Sequence, residues 1–143
     1  MKRLVIATVL IGSVIGFANQ TQSSDNLVKA IHKVESGGKT GRVVGDGGKA
    51  LGPLQIHYSS WKDATSFDKT IGGTYRDCEK LEYSIKIFNA YMNRYAKNKS
   101  NEAKARIWNG GPKGDSSEAT LIYWKRVKAN RSEEHTSELQ SLA

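Results

Sequence analysis

The sequence predicts a mainly α domain of the α+β class, with about five helices and one small glycine-rich β-hairpin. Apolar residues recur at helical spacing through most of the 143 residues. The strand signal is confined to Val43 and Val44, inside a glycine-rich stretch at 37–52. No internal repeat or low-complexity linker divides the chain, so its length predicts a single domain with one modest core.

The first predicted helix starts at a cap, Ser24 or Asp25, and runs to about Glu35. Apolar residues at helical spacing give it one stripe that faces the core, formed by Leu27, Ile31 and Val34. Gly37 and Gly38 then end the helix, because glycine readily takes the left-handed conformation that terminates helices. The hairpin or loop at 37–52 follows.

The middle of the chain predicts two short helical segments and one long helix. Pro53 can open a helical turn, and Ser59 or Ser60 can cap a short helix that includes Trp61. The longest helix is expected over about 75–98. Its apolar stripe repeats every three or four residues and is expected to be core: Leu81, Ile85, Phe88, Met92 and Tyr95.

Two more helices are predicted in the C-terminal part. Ser100 can cap a short helix that runs to Trp108. The Asn-Gly-Gly-Pro segment at 109–112 ends it, since glycine permits left-handed turns and proline cannot continue a helix. A serine at 116–117 then caps the last helix, which is expected to reach about Asn130.

The two ends of the chain are expected to lie outside the folded domain, which is placed at 19–130. Residues 1–18 pair a basic start with an apolar run and a small residue, Ala18, at a cleavage point, as in a secretory signal peptide. The run is shorter than the roughly 20 residues that span a bilayer, so no stable membrane anchor is expected. We therefore expect a secreted or periplasmic protein. Residues 131–143 resemble a translated sequencing adapter and are expected to be a non-native tail.

The composition is basic, with a formal net charge of +8. A secreted basic protein is attracted to polyanions, among them anionic cell-wall polymers. No long basic run and no nucleic-acid-binding signature is present, so nucleic acid is not an expected partner. The single cysteine, Cys78, excludes an internal disulfide and is expected to be a small core residue.

Two carboxylates in contrasting surroundings are the candidate catalytic residues. Glu35 ends a helix with Ile31 and Val34 nearby, and apolar neighbours favour the protonated form of a carboxyl group. Asp46 lies among glycines, where a hydrated loop keeps it ionised. Such a pair is suited to general acid catalysis of glycoside cleavage. Taken singly, each is equally compatible with an ordinary helix-end glutamate or turn aspartate.

Several polar and aromatic residues are candidates for binding a sugar substrate. The amide of Gln55 could orient a water or a sugar hydroxyl, and that of Asn109 could contact an N-acetyl group. Aromatic rings could stack on sugar faces, although aromatic residues at helical spacing are more often core. The predicted set is Gln55, His57, Trp61, Trp108, Asn109, Gly110 and Tyr123. The histidines lack metal-ligand spacing, so no metal and no cofactor is predicted.

Five segments together resemble the invertebrate-type, destabilase-like lysozymes: ESGG at 35–38, GPLQI at 52–56, YMNRYAK at 91–97, ARIWNGGPKG at 105–114 and YWKRV at 123–127. The resemblance covers roughly residues 24–129. It implies a lysozyme-like fold with a hairpin beside a cleft. It also implies that Glu35 is the general acid and Asp46 the second catalytic carboxylate. The chain departs from the family in being cysteine-poor and in having Trp108 where a histidine is usual.

The resemblance implies a muramidase that hydrolyses the β-1,4 bond between N-acetylmuramic acid and N-acetylglucosamine in peptidoglycan. Three alternatives stay open from the sequence. A lytic transglycosylase would cut the same bond with Glu35 alone and form a 1,6-anhydro product. An isopeptidase would act on peptide cross-links, and a non-catalytic protein would only bind the wall.

Overall fold

The computed structural model describes the backbone of residues 14–142 and the surroundings of the side chains over 25–131 and 140–142. Five α-helices lie in this part of the chain: α1 Val14–Ser36, α2 Tyr58–Phe67, α3 Leu81–Tyr95, α4 Asn101–Gly110 and α5 Leu121–Ser141. The mainly helical prediction is confirmed. The N-terminal part of the expected signal peptide, residues 1–13, lies outside the described residues. None of the described helices is apolar over a length that could cross a membrane.

The predicted hairpin is present and forms the first two strands of a three-stranded antiparallel sheet. Its strands are β1 Val44–Gly45, β2 Ala50–Leu51 and β3 Ile56–His57, in the order β1-β2-β3. The expectation that Pro53 opens a helical turn is wrong, because 52–55 forms the turn between β2 and β3. Gly52 is required there: its φ is +79°, and a Cβ would lie 1.8 Å from the carbonyl oxygen of Cys78.

The core is built mainly from α1, α3, α4 and α5, with the sheet packed against one side. The largest fully buried apolar side chains come from all these parts: Leu27, Ile31, Leu54, Ile56, Ile87, Ile107 and Val127. Cys78 is fully buried, as expected, and burial raises the pKa of its thiol to about 12. Burial of apolar side chains contributes about 1.5–3 kcal/mol each, which suits a chain in which no disulfide can form.

The long helix expected over 75–98 is interrupted. A 3₁₀ turn at Tyr75–Glu79 precedes α3, and Lys80 between them is extended at φ −93° and ψ 129°. The carbonyl oxygen of Cys78 accepts a hydrogen bond from the side chain of Ser84, with Oγ at 2.7 Å, and not from a backbone N–H of a continuing helix. No glycine or proline marks the break, so the sequence pattern could not reveal it.

The expected caps of the first two helices are wrong, because α1 begins at Val14, before Ser24, and α2 at Tyr58, before Ser59. The end of α1 and both ends of α4 follow local signals. Gly37, at φ +68°, follows the last residue of α1. Ser100 caps α4, its Oγ accepting from the backbone N–H of Ala103 at 3.2 Å, and Gly111 at φ +80° follows Gly110, where α4 ends. The expected serine cap of the last helix is wrong: two 3₁₀ turns fill 114–120, and Thr120 precedes α5. Without glycine or proline beyond Asn130, α5 continues to Ser141.

Candidate active site

One open cleft, with about 530 Å³ of empty volume, lies where the end of α1, the sheet, the start of α2 and the end of α4 meet. Its lining combines both predicted carboxylates with polar and aromatic groups: Glu35, Asp46, Ala50, Gln55, Ile56, His57, Ser60, Trp108 and Asn109. Six of the nine predicted site residues therefore come together here. Trp61, Gly110 and Tyr123 do not line the cleft.

Glu35 is presented to the cleft by the last turn of α1. The side chain is largely removed from water, and this loss of solvation raises the pKa of Glu35 to about 7. A hydrogen bond from Tyr123 acts in the opposite direction and lowers it. The carboxyl group is thus substantially protonated near neutral pH, as a general acid requires.

Asp46 occupies the opposite environment, on the sheet side of the cleft. Its side chain is 60% exposed, and its Oδ2 lies 3.5 Å from His57 Nε2. Its backbone has a φ of +49°, an uncommon conformation for a residue with a side chain. Strained backbone of this kind tends to occur at functional sites. The contrast in burial between the two carboxylates agrees with the sequence-based expectation.

Gln55 lines the cleft, and its amide nitrogen is bonded within the protein. Its Nε2 donates to the carbonyl oxygens of Val43 at 3.2 Å and Gly52 at 2.9 Å. Its Oε1 lies so close to Gly45 that a Cβ there would be 1.9 Å away. Both amide hydrogens are thus used inside the protein. Gln55 therefore fixes the loop that carries Asp46.

Trp108 and Asn109 extend the cleft from the end of α4. The Trp108 ring is half-buried and lies edge-on against Phe88 and Tyr91, with ring centroids 5.0 and 5.7 Å apart. These contacts fix the orientation of the indole. Asn109 is exposed beside it. The pair offers an aromatic surface and an amide at one position, which is suitable for an N-acetyl sugar.

The remaining three predicted residues have other surroundings. Trp61 packs against Tyr58 and Tyr75, and its Nε1 donates to Tyr83 Oη at 3.0 Å. Gly110 is explained by packing, since a Cβ there would lie 2.6 Å from a methyl group of Thr120.

Tyr123 is a correction to the sequence-based expectation of a sugar-stacking ring. Only 9% of its surface is exposed, and its hydroxyl donates to Glu35 Oε1 at 2.6 Å. Sequence reasoning included the residue but missed this contact, because no sequence pattern relates α5 to the end of α1. Ser60, which lines the cleft, was expected only as a possible helix cap and not as a site residue.

The fold and the site together define a glycosidase of the lysozyme type. The chain is 34% identical to invertebrate-type lysozyme 6 of Caenorhabditis elegans, over 80% of this chain and 91% of that protein. It is 30% identical to a lysozyme of Magallana gigas, over 89% of this chain and 93% of that protein. The chain belongs to the invertebrate-type lysozyme family. No family model matches it.

Solved structures agree with this assignment. The crystal structure of Tapes japonica lysozyme superposes with a TM-score of 0.61 at 31% identity, covering 71% of this chain and 85% of that one. A second crystal structure, of Aeromonas hydrophila PliI in complex with Meretrix lusoria lysozyme, gives a TM-score of 0.63 at 29% identity. It covers 73% of this chain and 87% of that one.

Proposed function

We propose that the protein is a secreted muramidase that hydrolyses the β-1,4 bond between N-acetylmuramic acid and N-acetylglucosamine in peptidoglycan. One observation carries the proposal: a largely buried Glu35, with its pKa raised to about 7, shares an open cleft with an exposed Asp46. One group can donate a proton at neutral pH while the other provides negative charge.

In the proposed reaction, Glu35 protonates the oxygen that leaves with the departing sugar. Asp46 acts on the other side of the bond, either as nucleophile or by stabilising the positive charge that develops on the sugar ring. Water completes the hydrolysis. Trp108 and Asn109 border the same cleft and are proposed to hold an N-acetyl sugar there. No step requires a metal or a cofactor.

The charge of the protein supports the proposed substrate. Peptidoglycan is embedded in anionic wall polymers, and a formal net charge of +8 concentrates the enzyme on such a surface. Secretion after cleavage near Ala18 is proposed from the N-terminal sequence and would bring the enzyme to this substrate.

The decisive test combines one variant with product analysis. Glu35→Gln keeps the shape of the side chain and can still accept the hydrogen bond from Tyr123, but it has no acidic proton. We expect it to lose at least about 100-fold in the rate of peptidoglycan cleavage while the fold is retained by circular dichroism. Glu118→Gln, at an exposed position, is the matched control and should keep full activity.

Mass spectrometry of the released fragments separates the possible reactions. Hydrolysis gives reducing N-acetylmuramic acid ends, whereas a lytic transglycosylase gives 1,6-anhydro ends. Wall clearing by Glu35→Gln at the wild-type rate would overturn the role of Glu35. If the wild-type protein releases 1,6-anhydro ends, the reaction is transglycosylation and not hydrolysis.

A further inference from the structure

The hydrogen bond between α5 and the acid on α1 has a defined direction. Tyr123 is buried, and in the described part of the chain its hydroxyl contacts Glu35 Oε1 and no other hydrogen-bonding group. A buried hydroxyl hydrogen without an acceptor is unfavourable. The hydroxyl therefore donates to Oε1 whether Glu35 is protonated or ionised, and Oε1 is the accepting oxygen in both states.

We propose that Tyr123 is a positioning residue that keeps the acidic proton of Glu35 on Oε2, the oxygen left for the substrate in the cleft. This inference rests on the proposed function of Glu35 as general acid. When the Oε2–H bond breaks, a new O–H bond forms on the leaving glycosidic oxygen. The electron pair stays on the carboxylate and is shared with Oε1, where the hydrogen bond from Tyr123 becomes charge-assisted and stronger.

Because the bond strengthens as the proton leaves, Tyr123 stabilises the transition state more than the bound substrate. An interaction of this kind affects kcat and has little effect on KM. Other groups line the cleft beside the acid. The sheet contributes the exposed Asp46 and His57, and α4 contributes the uncharged Trp108 and Asn109.

A clamp between α4 and α5 holds Tyr123 in place. Thr120, directly before α5, accepts from Arg106 Nε at 3.0 Å. The Thr120 hydroxyl oxygen also lies 2.7 Å from the carbonyl oxygens of Gly114 and Ser117, and it donates to one of them. Arg106 Nη2 donates to the Ser117 carbonyl at 3.1 Å. The ARIWNGGPKG segment thus orients the first turn of α5, in addition to placing Trp108 and Asn109 in the cleft.

Tyr123→Phe tests the proposal because it removes only the hydroxyl. We expect kcat on a soluble peptidoglycan fragment to fall about 10- to 100-fold, with KM changed less than about twofold. In the wild type, the hydrogen bond from Tyr123 lowers the pKa of Glu35. Its loss should raise this pKa, so the upper limb of the pH profile should move to higher pH. Tyr95→Phe is the matched control: Tyr95 donates to the Asp63 carboxylate at 2.9 Å, away from the cleft. It should leave the pH profile unchanged.

A second measurement needs no activity. Carbon-13 NMR of the Glu35 carboxyl group should show a higher pKa in Tyr123→Phe than in the wild-type protein. Wild-type protein made with 3-fluorotyrosine, a stronger hydrogen-bond donor, should show a lower one, and this tests the bond even if Tyr123→Phe does not fold. An unchanged Glu35 titration, with a loss of kcat no larger than in Tyr95→Phe, would overturn the proposal. If Glu35→Gln retains activity, the proposed role of Glu35 as general acid is wrong, whatever the titration of Glu35 shows.

Discussion

Asp46 Oδ2 lies 3.5 Å from His57 Nε2, so the second carboxylate of the cleft has an imidazole beside it. The two residues come from opposite sides of β2: Asp46 follows β1, and His57 ends β3. Both are well exposed, at 60% and 47% of their side-chain surfaces. The pair therefore places Asp46 on the exposed, sheet side of the cleft.

The first prediction concerns Asp46. Asp46→Asn removes the negative charge and keeps the side-chain size, so we expect kcat to fall at least about 100-fold. His57→Gln should have a smaller effect, because it leaves the carboxylate in place. Steady-state kinetics on a soluble peptidoglycan fragment measure both. An Asp46→Asn variant with wild-type kcat would show that Glu35 acts alone, as in a transglycosylase.

A second prediction is the pH dependence of activity. Glu35 must be protonated to act, and burial raises its pKa to about 7. Activity should therefore be present below this value and fall as pH rises through about 7. The measurement is kcat/KM against pH on an uncharged chitooligosaccharide, which avoids titration of the substrate. If kcat/KM already falls near pH 4.5, the ordinary pKa of a glutamate, the raised pKa of the buried Glu35 is contradicted.

The third prediction links the same residue to stability. The pKa of Glu35 is about 7 in the folded protein and close to the ordinary 4.5 in the unfolded chain. The folded protein therefore binds more protons between these values, and its stability falls as pH rises across that window. The amide in Glu35→Gln does not titrate, so the stability of this variant does not fall in this way as pH rises. Its free energy of unfolding should exceed that of the wild type by about 2–3 kcal/mol at pH 8.

Urea denaturation at pH 4 and pH 8 checks this difference. The gain should nearly vanish at pH 4, where Glu35 is mostly protonated in both the folded and the unfolded state. Glu118→Gln, at an exposed position, is the reference for loss of a carboxylate without burial. An equal gain at both pH values would mean that packing, and not protonation, causes the stabilisation.

Salt provides a fourth prediction. If the net charge of +8 concentrates the enzyme on anionic walls, salt should reduce lysis of whole cell walls. The screening length shortens from about 30 Å at 0.01 M to about 10 Å at 0.1 M salt. Cleavage of a neutral chitooligosaccharide should change little over the same range. Equal salt dependence on both substrates would contradict electrostatic attraction to the wall.

The fifth prediction tests the clamp between α4 and α5. A Cβ at Gly114 would lie 2.1 Å from the carbonyl oxygen of Arg106, so Gly114→Ala must separate the two segments. We expect about 1–3 kcal/mol of destabilisation in urea, as for other overpacked sites. Ser116→Ala, on an exposed residue of the same 3₁₀ turn, should cost much less. Equal losses in both variants would show that the close approach is unimportant.

Local signals in the sequence were sufficient for several features of the fold. Ser100 identified the start of α4 and Gly37 the end of α1, because caps and left-handed glycines act over one turn of chain. The break at Lys80 could not be predicted in this way. It depends on the Cys78 carbonyl, which packs against Gly52 from another part of the chain and accepts from Ser84.

The sequence by itself determined the helical class and the two carboxylates of the cleft, since the period of apolar residues and short motifs are local properties. Only the tertiary structure decided what surrounds those carboxylates. Tyr123 reaches Glu35 across 88 positions of sequence. The Gln55 amide nitrogen donates to the carbonyls of Val43 and Gly52 and so fixes the loop that carries Asp46. Burial and hydrogen bonding depend on which segments meet, and they set the pKa of Glu35.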